Sequence, residues 1–273
     1  MPDTLNYTRE LIDRQSITPA DTGCQPLIAQ WLADSGFAAH DYSSNEVVNT
    51  LYTHTGSDES PQPHLLLLGH TDVVPPGPDE QWHSNPFVAE ERDGVLYGRG
   101  AADMKGAVAA MVTAMQAFVA HYPEHAGRLS LLLTSDEEGP AKDGVRAVVP
   151  VLQRKQLLPD YCLVGEPSSV QRLGDNIRIG RRGSIHARLR FIGVQGHTAY
   201  ADPADNPAHR AMAALHAITA HRFADGDEHF PATVLNISNI QAGTGANNVT
   251  PATLDVRFNI RNNPNSPAAQ IRA

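Results

Sequence analysis

A chain of 273 residues has room for one large domain or two ordinary ones, and 41% hydrophobic content is enough for a core. Gly 21 and Pro 20 together stay well below low-complexity levels, which excludes a disordered chain. The net charge of -9, from 21 basic and 30 acidic residues, has the wrong sign for holding nucleic acid through counterion release, so no nucleic-acid partner is expected.

Along the chain, residues 7–14 and 25–35 carry apolar positions at helical spacing, with Gly36 placed to stop the second helix. The first twenty residues hold no apolar stretch of signal-peptide length. Short apolar runs follow at 64–68, 129–134 and 161–164, separated by helical stretches at 106–121 and 143–155. The longest uncharged, mostly apolar run, 106–120, is shorter than the roughly twenty residues of a membrane span, so it reads as a buried helix and no membrane partner is expected. This rhythm predicts an α/β fold, a mixed, largely parallel sheet flanked by helices. After Gly180 the pattern changes to an alternating strand at 184–192, a helix at 206–221 and further strands at 233–241 and 253–261. The expected organisation is therefore a catalytic domain over 1–180 and a smaller α+β domain over 181–273. At the end, Asn265-Ser266-Pro267 is a good helix start with only 268–273 behind it, which suggests a chain that has been cut. Cys24 and Cys162 form neither a metal-binding nor a disulfide spacing, which favours a reducing cytoplasm.

Polar motifs sit where the apolar runs end. His70 and Asp72 follow the first run two residues apart, so an extended backbone places them on one side. The glycine-rich segment 98–106 lacks the third glycine of a dinucleotide loop, because Asp103 stands there, and no phosphate-loop GxxxxGK[ST] is present. Asp136-Glu137-Glu138 ends the second run and Glu166 the third. Each motif alone is equally a loop, cap or solvated turn. Together they converge on the crevice at the carboxyl ends of neighbouring strands, where several carboxylates repel one another unless a cation neutralises them. One imidazole among carboxylates fits zinc, and manganese or cobalt accepts the same donors. Asp103 can bridge two ions, and of the adjacent Glu137 and Glu138 one can bind metal while the other stays free as a general base.

The segments 69–75, 98–106, 134–139, 165–168, 181–183 and 196–200 resemble the dinuclear-zinc amidohydrolases of the M20 metallopeptidase family over most of the chain, to about Arg261. That resemblance implies that His70, Asp103 and Glu166 hold one zinc, and that Asp103 bridges to a second held also by Glu138. It further implies that Asp72 orients His70 and that Glu137 is the general acid/base. Two Zn(2+) per subunit are implied, with Co(2+) as a substitute. The region after Gly180 becomes a lid and dimerisation domain of a homodimer, in which His197 reaches the partner subunit's active site to stabilise the oxyanion. Arg181, Tyr200, Asn247, Asn248 and Arg261 become contacts to a small acylated diamino acid. Deacetylation, dipeptide cleavage or a non-catalytic metal-binding role are the alternatives. Family members run on for roughly another hundred residues, a length in line with ordinary domain sizes, and supply a further histidine to the second zinc. One complete metal site and impaired activity are therefore expected of this chain.

Overall fold

The computed structural model describes residues 4–56 and 63–272. Two compact units divide between Arg172 and Leu173, ahead of the Gly180 boundary read from the sequence.

The first unit runs α1 (Thr4–Ile12), α2 (Cys24–Ala33), β1 (Ala38–Asp41), β2 (Asn49–Thr55), β3 (His64–His70), β4 (Glu90–Arg92), β5 (Val95–Tyr97), α3 (Gly106–His121), β6 (Arg128–Thr134), α4 (Val145–Arg154) and β7 (Tyr161–Val164). Its sheet has the order β1-β2-β6-β3-β7. The centre, β6-β3-β7, is parallel, while β1 and β2 extend it antiparallel. A parallel pair needs a crossover, and α3 and α4 supply it; both faces of β6 are covered, while β7 at the sheet edge is exposed along its length. Strand alternation assigns the side chains. Leu129, Leu131 and Leu133 of β6 pack with Leu67 and Tyr52 against α2 and α3, and Leu132 packs with Leu51 and Leu66 against Val148 and Leu152 of α4. A strand buried on both faces reads as a continuous apolar run, which is why β3 and β6 stand out in the sequence. By contrast, β1 is exposed along its length and β2 mixes polar and apolar residues, so neither carries such a run. The short hairpin β4–β5 turns on Asp93 and Gly94, both with positive φ, as a two-residue hairpin turn requires.

In the second unit, β8 (Gly183–Ile192), β9 (Gly196–His197), α5 (Pro207–Ala220), β10 (Val234–Ala242), β11 (Val249–Thr250), β12 (Thr253–Asn262) and α6 (Ala268–Arg272) follow in order. An antiparallel sheet β10-β12-β8 packs one face on α5 through Ala211, Leu215, Leu254 and Val256. The α5 start is set by Asn206, whose side chain accepts the Ala208 amide at 2.9 Å with Pro207 in the first turn. The final expected helix forms from Ala268 to Arg272, and Ala273 lies outside the described residues. No helix among the described residues is long and apolar enough to cross a membrane.

Leu131 is fully buried between β2, β3 and the α3 layer. Leu131→Ala is expected to lower unfolding free energy by about 3 kcal/mol, read as a lower urea midpoint at unchanged slope.

Candidate metal centre

The parallel registers bring the polar motifs level. His70 ends β3 opposite Thr134, the last residue of β6, so Glu137 and Glu138 follow beside it. Leu68 lies opposite Val164, which puts Glu166 just past β7 on the other side. Asp103 comes from a wide turn, residues 101–105, that breaks helical geometry at Asp103 (φ -121°, ψ 96°) before α3 begins.

His70 is the hub. Its Nδ1 lies 2.8 Å from the Asp72 carbonyl oxygen, to which it donates. In the neutral ring, Nε2 then carries the lone pair. That atom is buried, has no hydrogen-bond partner, and faces Asp103 Oδ1 at 3.3 Å and Glu166 Oε1 at 3.7 Å. A buried acceptor aimed at two carboxylates is repulsive as it stands and satisfied once a cation lies among the three. Ligand atoms of His70, Asp103 and Glu166 lie within 4.8 Å of one another, and so do those of His70, Glu137 and Glu138. The residues fit a metal. Burial by itself would push the His70 pKa down, but its bond to the Asp72 carbonyl and the charges of Asp72, Glu137 and Glu166 outweigh that and leave it raised. Burial, aided by the Asp103, Glu137 and Asp72 charges, likewise raises the Glu138 carboxyl against the lowering effect of His70.

Asp72 does more than the sequence suggested. Its carboxylate stands 3.6 Å from His70 Nδ1, and the ring is held by its peptide carbonyl instead. The carboxylate accepts the amides of Glu137 at 3.2 Å and Glu138 at 3.1 Å, so this fully buried acid fixes the backbone from which both glutamates project. Asp136 does the same for the next turn, accepting the amides of Ala141, Lys142 and Asp143 at 3.1, 2.9 and 3.1 Å. On the other side of His70, Thr71 donates its hydroxyl to Asp21 at 2.8 Å, and Asp21 also accepts the Gln25 amide in the first turn of α2.

The Asp103 turn is anchored by the two residues after it. Met104 is buried with its methyl wedged against Gly69 and Gly165, and its sulfur accepts the His70 amide at 3.4 Å. A Cβ on either glycine would stand 2.7 Å from that methyl, so a side chain there would require the end of Met104 to move. Lys105 is 1% exposed, and its Nζ donates to Leu11 O at 2.7 Å and Arg14 O at 2.8 Å, tying the turn to the end of α1. Burial lowers its pKa, opposed by the nearby Cys24 and Asp21. Sequence reading missed Asp136, Met104 and Lys105 as supports. The available signal was a lysine at the mouth of an otherwise apolar helix, a place where a charge needs dedicated partners.

In the second unit the expected substrate residues form two groups. His197 pairs with Val249 across β9–β11, its ring lies near Tyr200, and the Thr198 amide bonds the Asn248 carbonyl at 2.9 Å, with Asn247 adjacent. Arg261 lies opposite Ser184 at the far end of the β8–β12 ladder, close in sequence register to Arg181. All five expected contacts and His197 are exposed. The length of β8, roughly 30 Å at about 3.3 Å per residue, separates the groups, so they do not line one pocket of this unit.

The sequence matches Peptidase family M20/M25/M40 across residues 66–268. The chain belongs to this family. Its relatives include succinyl-diaminopimelate desuccinylases of Xylella fastidiosa (strain M12), 53% identical over 100% of this chain and 71% of the relative, and of Xanthomonas euvesicatoria pv. vesicatoria (strain 85-10), 54% identical over 100% and 72%. Among solved structures, an M20 family metallo-carboxypeptidase from Sulfolobus solfataricus superposes with a TM-score of 0.72 at 15% identity, covering 100% of this chain and 74% of that one. A dinuclear metal-binding M20 peptidase from Bacillus subtilis gives 0.60 at 16%, covering 99% and 66%. These likenesses establish the M20 fold.

Two outcomes are expected of the M20 centre. Adding a divalent metal to chelator-stripped protein raises stability, by about 2.7 kcal/mol at a hundredfold excess over Kd, and His70→Ala removes that gain in calorimetry. Asp136→Ala lowers stability by about 2 kcal/mol, because three amides lose a charged acceptor, and hydrogen exchange at 141–143 speeds up.

Proposed function

We propose that this chain is a zinc-dependent amide hydrolase that converts N-succinyl-LL-2,6-diaminopimelate and water to succinate and LL-2,6-diaminopimelate. The observation that carries the hydrolase reading is the buried, unpartnered Nε2 of His70, facing Asp103 and Glu166 beside two further glutamates. The substrate follows from the 53% and 54% identical desuccinylases that align along the whole chain.

His70, Asp103 and Glu166 would hold one zinc, and Asp103 and Glu138 would contribute to a second. Cobalt accepts the same donors. When bound, the metal supplies Lewis acidity, polarising the amide carbonyl and acidifying water. Glu137, the more exposed of the adjacent glutamates, takes the proton from the attacking water and returns it to the leaving amine nitrogen as the C–N bond breaks. Asp72 positions both partners, His70 through its carbonyl and Glu137 through its carboxylate. Arg181 and Arg261 bind substrate carboxylates as bidentate forks, while Tyr200, Asn247 and Asn248 make polar contacts near His197. In a homodimer, His197 serves the partner subunit's active site as an oxyanion donor, a reading supported by its separation from the arginine pair. Cys24 and Cys162 are unpaired, in keeping with the cytoplasm.

In the zinc-loaded protein, Glu137→Ala is expected to lower kcat at least about a hundredfold with metal content unchanged, measured as succinate release. A loss under about tenfold removes Glu137 from this role. Faster turnover of acetylornithine or a dipeptide than of the succinylated substrate overturns the substrate assignment.

A further inference from the structure

The two units carry opposite charge. Up to Arg172 there are 11 basic and 23 acidic residues, a formal -12, whereas from Leu173 onward there are 10 arginines, no lysine and 7 acids, a formal +3. Arginine alone suggests oxyanion recognition, because its planar fork binds carboxylate and phosphate bidentately, where lysine offers a point charge.

Three of these arginines share the middle of the sheet face turned away from α5. Alternation sends Leu189, Leu254 and Val256 toward the helix and leaves Arg188, Arg190 and Arg257 on the open side with Asp255. In the β8–β12 register, Arg190 stands opposite Asp255, but Arg188 stands directly opposite Arg257. Like charges in opposed positions destabilise an antiparallel pair.

Asp255 does not relieve this. It accepts Arg190 through Nε at 2.9 Å and Nη2 at 3.1 Å, and Arg188 through Nε at 3.0 Å and Nη2 at 2.9 Å, so it is already shared between two guanidiniums. Hydrogen bonding to these arginines holds the Asp255 carboxyl below its ordinary range, so it stays charged. On its other side, Arg257 faces Asn239 of β10, and it has no ion-pair partner among the described residues. The face thus orients two forks with one carboxylate and leaves the third guanidinium without an acid.

We propose that Arg188, Arg190 and Arg257 form a binding site for a small oxyanion bearing at least two negative charges, a polycarboxylate or a phosphate group. The ligand lies against Arg257 and the outer edges of the two forks held by Asp255, and removes the Arg188–Arg257 repulsion. Arg261 is four residues further along β12, about 13 Å away at 3.3 Å per residue, so this site is separate from the proposed substrate contact and does not depend on the hydrolase reading.

The test is isothermal titration of the whole chain with tricarballylate and, separately, inorganic phosphate, each against sodium chloride at matched ionic strength, because screening alone mimics weak anion effects. One-site binding of at least one probe is expected. It should persist in His70→Ala, weaken at least tenfold in the Arg188→Gln/Arg257→Gln double variant, and tighten several-fold in Asp255→Asn, which removes the internal competitor. Circular dichroism and Tm of these surface variants should match the parent, and Arg257→Gln alone serves if the double variant does not fold. Tighter tricarballylate binding assigns the site to polycarboxylates, and tighter phosphate binding to phosphoryl groups. Heats no larger than the chloride control, or an affinity unchanged by losing Arg257, overturn the proposal, as does loss of binding in a folded His70→Ala protein.

Discussion

Crowding of negative charge around one imidazole is the constraint on which the first unit depends. Asp72, Asp103, Glu137, Glu138 and Glu166 all bear on His70 or on the backbone around it. Burial first, and then the Asp103, Glu137 and Asp72 charges, raise the Glu138 carboxyl. The fold separates the acids by role. Those meant to stay in place, Asp72 and Asp136, are buried and saturated by backbone amides, which stabilise a carboxylate at fixed geometry. The acids left to face the candidate site, Asp103, Glu137, Glu138 and Glu166, keep some exposure. Rigid acids thus frame responsive ones.

That division rests on the parallel core. Three strands ending at the same level present three loops to one point, and the two-sided burial of β6 resists slippage of its register. The geometry of the candidate metal centre is therefore inherited from strand packing well below it. Lys105 extends the frame outward by fastening the Asp103 turn to α1, so this proposed ligand is tied to a helix end as well as to the sheet.

Much of this was legible in the sequence because chemistry and periodicity changed together. Continuous leucine runs announced β3 and β6, and the acids and histidine stood where the runs stopped. The helix at 106–121 was read to its residue, since its flanking glycine and uniform apolarity leave little choice. β1 and β2 were not legible, because β1 is exposed along its length and β2 sets its buried Leu51 and Tyr52 among threonines and a histidine, so neither shows a continuous apolar run. The role of Asp72 was read halfway. Spacing put it near His70, but no spacing rule tells a side-chain carboxylate from a peptide carbonyl, or reveals that the carboxylate would find amides 65 and 66 residues away. The split of the second unit's polar residues into two groups was hidden for a similar reason, since it follows from which ends of a ladder they occupy.

The Met104 wedge has a consequence for how such a sequence can vary. Gly69 and Gly165 lie about a hundred residues from one another, yet the same methyl excludes a side chain from both, and Met111 also crowds each of them. A single added carbon at either glycine requires a methionine end to move, and a shortened methionine leaves a gap that such a carbon would fill. The four positions are in mutual contact, so the stability effects of substitutions among them are not expected to add.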